Sequence, residues 1–388
     1  MKIALDMRGS QPGYKKHAHR GIGRIIQGIA PRLPHLIPDC RFYYIYDKKL
    51  PRPQFKAPPR IEEIFTRGGL SFAGRQKTLS LQFALRPELR KIKPDVTLFF
   101  SHEDALLFHR GSVVFVYDMI PYVFPEQYNL RGSIKGKLRC RLMQKIVRNS
   151  ELILTISENS KSDIAKFWGV SPEIISVVHA AVDTKIFYRR SPEEIEVSKG
   201  KYSLPEKYFL YVGGIDPRKN ISSMIKAFGI FVKSVQDINL VLAGRLKEQA
   251  EYRELIGAIE KNDLSVRVNL PGYIDDDDLP AVYSGSEALI FPSLYEGFGL
   301  PILEALACGT PVVTSRLSAI PEAAGELALY CDVTDPEEIA GAMQIVTSGS
   351  ELHQKILVDG PGRAATMSWD NVASNVANAI VRLLYDKT

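Results

Sequence analysis

From about Tyr208 onward, short apolar runs alternate with segments of helical spacing, which is the pattern of a parallel sheet covered on both faces. The expected strands are Tyr208–Val212, Asn239–Ala243, Arg267–Leu270, Ala288–Phe291, Val312–Thr314 and Ala328–Tyr330, with helices around Ile221–Ser234, Glu248–Asn262 and Pro336–Val346. This half therefore reads as a doubly wound α/β domain. The first half is less regular but also opens on a strand, Lys2–Leu5, and carries others at Phe42–Tyr46, Val96–Phe100, Val113–Val116 and Leu152–Thr155. At 388 residues the chain suits two domains of ordinary size. The charged stretch Thr184–Pro205 reads as the linker, giving domains over 1–190 and 205–370.

Composition narrows the class. Hydrophobic content of 45% with 24% charge is that of a globular chain. No run of eighteen apolar residues occurs, and Met1–Asp6 leads into a strand and not a signal peptide, so a cytoplasmic location is expected. Cys40, Cys140, Cys308 and Cys331 lack metal or disulfide spacing. Residues 1–200 hold 34 Lys/Arg against 19 Asp/Glu, whereas 201–388 hold 16 against 25, so the first half is strongly basic and the second acidic. That asymmetry suggests an anionic partner for the first half, such as a membrane surface or a lipid diphosphate. Nucleic acid is not expected, because no nucleic-acid-binding motif accompanies the charge.

The richest motif is Tyr295–Thr310, which follows the buried strand Ala288–Phe291. Pro301 fits a helix start and Gly309 its end, while Gly297 and Gly299 allow close backbone approach to a ligand. The free N–H groups and positive dipole end of such a helix face an anion. Two carboxylates bracket this cradle, Glu296 before the helix and Glu304 within it.

The whole run from Glu296-Gly297-Phe298-Gly299-Leu300-Pro301 to Glu304-Ala305-Leu306-Ala307-Cys308-Gly309-Thr310 resembles the signature of the retaining, nucleotide-sugar-dependent glycosyltransferases of group 1 (family 4), which have the GT-B fold. The resemblance implies two Rossmann-like domains facing across a cleft, with a closing helix, residues 371–388, returning to the first domain. It implies that Glu296 contacts sugar hydroxyls and Glu304 the nucleotide ribose. Gly297, Phe298, Gly299 and Leu300 become donor-binding residues, and Ile274 a backbone contact to the base.

Further segments fit that reading. Gly213-Gly214-Ile215-Asp216-Pro217-Arg218-Lys219-Asn220 places two cations at a strand's carboxyl end, where they can neutralise a diphosphate leaving group. The family usually has arginine where Gly214 stands and a lysine matching Lys219, so Arg218 is the candidate replacement for the missing charge. Arg20-Gly21-Ile22-Gly23-Arg24 resembles the family's amino-terminal donor-phosphate loop, which makes Gly21 and Gly23 donor-side candidates. Val116-Tyr117-Asp118 resembles the segment where a histidine–aspartate pair faces the donor sugar; here Tyr117 stands in the histidine position and Asp118 is the stronger candidate. An Asp at a strand end equally satisfies backbone donors. His17 and His102 are secondary acceptor-side candidates, though a lone histidine is more often packed or solvated.

The run Asp275–Asp278 reads as a helix start and not as a metal site, so neither metal nor other cofactor is expected. The segment Arg131–Arg148 reads as a helix with an apolar stripe of Ile134, Leu138, Leu142, Ile146 and Val147 and a cationic face. That face is either solvated or a dock for anionic lipid heads.

The expected activity is transfer of a sugar onto a glycan acceptor, which is expected to be lipid-linked, in bacterial surface-polysaccharide assembly. Gly-Ile-Gly-Arg, Asp-Met-Ile-Pro and Asp-Pro-Arg-Lys-Asn look most like mannosyltransferases, which makes GDP-mannose the first donor. The alternatives are a UDP- or other nucleotide-sugar enzyme and a non-catalytic nucleotide-sugar-binding paralogue. Peripheral contact with the inner face of the membrane is expected.

Overall fold

The computed structural model describes residues 1–14, 22–53, 58, 61–66, 77–128, 134–349 and 351–385. It divides into two compact units, residues 1–179 with 369–388, and residues 180–368. Among the described residues no helix is long and apolar enough to cross a membrane.

The first unit is built on seven parallel strands: β1 (Lys2–Asp6), β2 (Arg41–Asp47), β3 (Ile61–Thr66), β4 (Val96–Phe99), β5 (Ser112–Phe115), β6 (Leu152–Thr155) and β7 (Ile175–Val177). Their spatial order is β3-β2-β1-β4-β5-β6-β7. The central strands β4, β5 and β6 are buried along their whole length, as expected where helices cover both faces. The order reverses between β1 and β4, so the crevice for a ligand lies at the carboxyl ends of those two strands. The closing helix Trp369–Tyr385 packs on the helix Ile22–Ile29, with the Trp369 ring lying against Gly28 and Arg32 pairing with Asp370 at 2.6 Å.

The second unit has six parallel strands: β8 (Tyr208–Val212), β9 (Asn239–Ala243), β10 (Val268–Gly272), β11 (Ala288–Phe291), β12 (Val312–Thr314) and β13 (Leu329–Tyr330). They are ordered β10-β9-β8-β11-β12-β13, with the reversal between β8 and β11. The loops that follow β8 and β11 are therefore neighbours at the switch point, and these carry Arg218, Lys219 and Glu296. The doubly wound reading of both halves holds, and four second-unit strands have the expected bounds.

The stretch read as a linker contains the helix Pro192–Tyr202, which begins with a capping box. The Ser191 hydroxyl accepts the Glu194 N–H while the Glu194 carboxylate accepts that of Ser191, satisfying two donors at the helix start. These residues belong with the second unit.

Candidate active site

The helix Leu300–Ala307 starts the site. Gly299 caps it at φ +110°, a conformation that side chains other than glycine's rarely adopt, and Pro301 lies in the first turn. The other end closes at Gly309, also left-handed, with the Thr310 N–H reaching back to the carbonyl of Ala305 at 2.9 Å. The helix therefore points its amino-terminal, positive dipole end at whatever occupies the glycine turn. Gly297, Phe298 and Gly299 are buried and Leu300 is exposed, so Phe298 anchors the turn in the core.

Glu296 is buried at the mouth of this turn. Its Oε1 lies 2.5 Å from Lys219 Nζ and its Oε2 2.9 Å from Arg218 Nη1. Arg218 is held by a second carboxylate, with its Nε 2.9 Å from Asp216 Oδ1, and donates to the Tyr295 carbonyl at 3.1 Å. Burial works against the charge on Glu296, but Lys219 and Arg218 outweigh it and hold the carboxyl below its usual range. The Lys219 ammonium also lies 5.2 Å from the centre of the Phe291 ring. Backbone contacts fix the two loops together, since Leu294 N–H donates to the Arg218 carbonyl at 2.8 Å. The Glu296 N–H donates to Ser318 Oγ at 2.9 Å.

This is a neutral quartet of two carboxylates and two cations, with Glu296, Lys219 and Arg218 mostly buried and Asp216 partly exposed. Such fixed charges can stabilise charge that develops on a leaving group, because they need not reorganise when it forms.

At Gly214, where the resembled family usually has arginine, the adjoining space is filled. A Cβ on Gly214 would come within 3.0 Å of Gln249 Oε1, so the Gln249 side chain occupies the adjoining space. Gln249 Oε1 accepts the Ile215 N–H at 2.7 Å and its Nε2 donates to the Arg245 carbonyl at 3.1 Å, which sets the path of the loop leading to Arg218. Glu304, one helical turn into the site helix, accepts from the Tyr283 hydroxyl at 2.9 Å. Burial first, then the Glu304 charge, pushes the Tyr283 phenol well above its ordinary range, so it remains a donor. Ile274 is buried just beyond β10. Asp275 and Asp278 lie at the start of the helix Leu279–Ser284, where Lys201 and Tyr202 engage them; Lys201 Nζ is 2.6 Å from Asp278 Oδ2.

In the first unit the candidates separate. His17 and Gly21 lie outside the described residues. Gly23 is not part of a loop: it is buried as the second residue of the helix Ile22–Ile29. The Tyr117 hydroxyl donates to the Phe100 carbonyl at 2.6 Å, and burial pushes its phenol well up, so that hydroxyl serves the backbone. Asp118 accepts the Ile120 N–H at 3.0 Å, the turn-forming role weighed for it from sequence. The half-buried His102 ring meets Trp168 edge-on at 5.3 Å. The described part of the basic segment is the helix Ile134–Arg148, but its apolar stripe is corrected: Leu138 is 66% exposed, and Met143 joins Ile146 and Val147 in the core. Among the described side chains, Lys137, Leu138 and Arg139 are exposed, whereas Met143, Ile146 and Val147 of the carboxyl half enter the core.

Sequence reasoning missed a buried network at the first unit's own switch point. Asp6, at the end of β1, binds Arg8 through two parallel hydrogen bonds of 2.7 Å. The Arg8 guanidinium lies 5.5 Å from the centre of the Tyr14 ring, and the Tyr14 hydroxyl donates to Asp104 at 2.9 Å. Burial disfavours the Arg8 charge, yet Asp6 more than offsets this and keeps it protonated. The available signal was an Asp-x-Arg pair directly after the first strand. Ser318, Tyr283 and Gln249 carried no comparable signal, since each reaches the site from a distant part of the chain.

Two Rossmann-like units, with a glycine-led helix and a cation-paired carboxylate at the switch point of the second, define a glycosyltransferase of the GT-B class. Residues 193–357 match the family model described as Glycosyl transferases group 1, and residues 20–186 match that described as Glycosyltransferase Family 4. The chain belongs to the group 1 glycosyltransferases. It is similar to O-antigen chain mannosyltransferase B of Escherichia coli, 31% identical over 274 residues that cover 69% of each chain. It is also similar to the serotype-specific mannosyltransferase WbdA of Escherichia coli, 28% identical over 70% of this chain but only 34% of that longer protein. Sucrose-phosphate synthase from Thermosynechococcus elongatus shares the fold across the full length of both chains, with a TM-score of 0.76 at 19% identity.

Proposed function

We propose that this glycosyltransferase moves mannose from GDP-mannose onto a lipid-linked glycan in bacterial surface-polysaccharide biosynthesis, with retention of the sugar's configuration. The observation that carries the reading is the Glu296–Lys219–Arg218 cluster in a chain whose similar proteins include O-antigen mannosyltransferases. In this reading Lys219 and Arg218 take the diphosphate, and Glu296, released from part of its ion pairing, orients the sugar hydroxyls. Glu304, with one oxygen already fixed by Tyr283, receives the ribose. Gly297–Leu300 and Ile274 contact the rest of the donor. The acceptor hydroxyl attacks from the face that the diphosphate leaves, and the departing diphosphate takes up its proton. No protein nucleophile is required.

The cationic face of the helix Ile134–Arg148, with the exposed Leu138 among Lys137, Arg139 and Arg141, suits peripheral docking on an anionic membrane. A panel of GDP-, UDP- and ADP-sugars, scored for nucleotide release with and without a mannose-containing acceptor, tests the reading. Acceptor-dependent release from GDP-mannose above the other donors is the expected result. Preferential use of a UDP-sugar would replace the donor assignment, and no release from any donor would favour a non-catalytic paralogue.

A further inference from the structure

The switch-point crevice of the first unit lies at the carboxyl ends of its strands. At their opposite, amino-terminal ends, beside the starts of β4 and β5, is a separate pocket of about 330 Å³. That volume is within the small-molecule range. Its walls carry Arg86, Arg90, Lys93 and Arg110 and no acidic residue. Among the described residues Arg90, Lys93 and Arg110 are exposed and form no ion pair, while Arg86 is anchored by donating to the Leu107 carbonyl at 2.7 Å.

The negative groups around this pocket are engaged elsewhere. Glu88 pairs with Lys91 at 2.9 Å, Asp95 accepts the Lys2 N–H at 2.8 Å, and Glu151 accepts the Gly111 N–H at 2.7 Å. The helix Lys77–Ile92 ends here and contributes the partial negative charge of its carboxyl end, about half a unit, against four full positive charges.

Phe108 adds an independent feature. It is held at φ +55°, a left-handed conformation that bulky residues rarely adopt, and it is 64% exposed. The neighbouring residue fixes the turn, since His109 Nε2 lies 2.8 Å from Thr97 Oγ1. Lys145 stands 4.8 Å from the centre of the Phe108 ring, bringing a fifth cation to the rim. The turn thus presents an apolar ring to solvent beside a concentrated positive field, although core burial would be the more favourable fate for that ring.

We propose that this pocket binds a phosphoryl group, as a phosphomonoester or diphosphate, at a site separate from the sugar-transfer chemistry. Three arginines offer planar forks that match phosphate oxygens in pairs, and Lys93 adds a point charge. The source is either a free phosphate compound or the headgroup of an anionic lipid, with Phe108 entering the acyl boundary in the second case. The site does not depend on the identity of the sugar donor.

Phe108→Trp supplies a local fluorescent reporter, read after subtraction of the wild-type signal from Trp168 and Trp369. It is titrated with inorganic pyrophosphate, and separately with vesicles of phosphatidylglycerol or of phosphatidylcholine. A saturable change with pyrophosphate identifies a free phosphate ligand, whereas a change with phosphatidylglycerol vesicles alone identifies a lipid headgroup. In either case adding Arg90→Gln and Arg110→Gln should weaken binding tenfold or more, and Lys219→Ala should leave it unchanged. Because Arg90 and Arg110 are exposed, these variants should keep the wild-type circular dichroism. The His109 imidazole ¹⁵N shift gives a second readout with Phe108 intact. No saturable response to pyrophosphate or phosphatidylglycerol by either readout, or an equal response in the arginine variants, overturns the proposal.

Discussion

Replacing Glu296 by Gln should move two observables in opposite directions. In the free protein this carboxylate lies 2.5 Å from Lys219 and 2.9 Å from Arg218, so under the proposed function it competes with a diphosphate for the same cations. Glutamine keeps the shape and removes the competing charge. With an effective dielectric constant of about 20, a unit charge roughly 8 Å from the diphosphate is worth about 2 kcal/mol, so GDP affinity should rise up to about 30-fold. Turnover should fall about 100-fold, because the sugar loses the group that sets its reacting carbon in line. Isothermal titration with GDP and initial rates with donor and acceptor read the two effects separately. A loss of GDP affinity in parallel with turnover would refute the competition, and unchanged turnover would remove Glu296 from sugar positioning.

Lys219→Ala should lower transfer by about 100- to 1000-fold, the range seen when one fixed donor to a developing anion is lost, and Arg218→Ala should show a comparable loss if it replaces the arginine absent at Gly214. Wild-type rates in Arg218→Ala would leave that work to Lys219 and the helix N–H groups. Glu296 is held below its usual pKa range, so its ion pairs stabilise the fold above the ordinary glutamate pKa and are lost as pH falls through its lowered value. In denaturant titrations the stability advantage of wild type over Glu296→Gln should therefore shrink below about pH 4, and a gap that widens in acid would contradict the pairing. Arg8→Ala strands a buried Asp6 and should cost about 3–5 kcal/mol in urea unfolding; a loss below about 1 kcal/mol would mean that water replaces the pair. Transfer should survive EDTA, because Lys201 and Tyr202 already engage Asp275 and Asp278; activity lost to EDTA and restored by magnesium or manganese would assign the acidic run to a cation.

The second unit was the more legible because its strands are nearly continuous apolar runs bounded by glycine and proline. Tyr208–Val212, Asn239–Ala243, Ala288–Phe291 and Val312–Thr314 could be delimited from that contrast alone. β3 escaped because Glu62 and Glu63 interrupt it, which an edge strand with exposed positions tolerates. β7 escaped because it has three residues and follows directly on a turn of 3₁₀ helix. The helix Glu351–Thr366 was hidden by Pro361 within it, and the helix Pro192–Tyr202 by its weak apolar periodicity. Within the site, the types and order of Arg218, Lys219, Glu296 and Glu304 pointed to the chemistry. Their pairing did not, since the contact between Arg218 and Glu296 spans 78 positions and depends on which strands flank the switch point. The same limit hid Tyr283 behind Glu304 and Ser318 behind Glu296. Leu138 was misassigned because spacing gives a helix face without saying how much of its length is buried.

The most direct test of the account is the stereochemistry of the product formed from GDP-mannose. The enzyme, the donor with its α-linked mannose and a lipid-linked mannose-containing acceptor are incubated, and the new glycosidic linkage is read by proton-coupled carbon NMR at the anomeric centre. The proposed same-face attack assisted by the leaving diphosphate predicts an α linkage, with GDP released in equal amount and the rate lowered about 100- to 1000-fold in the Lys219→Ala variant. A β linkage would contradict same-face attack, and an α product formed equally well without Lys219 would contradict the role given to the switch-point cations.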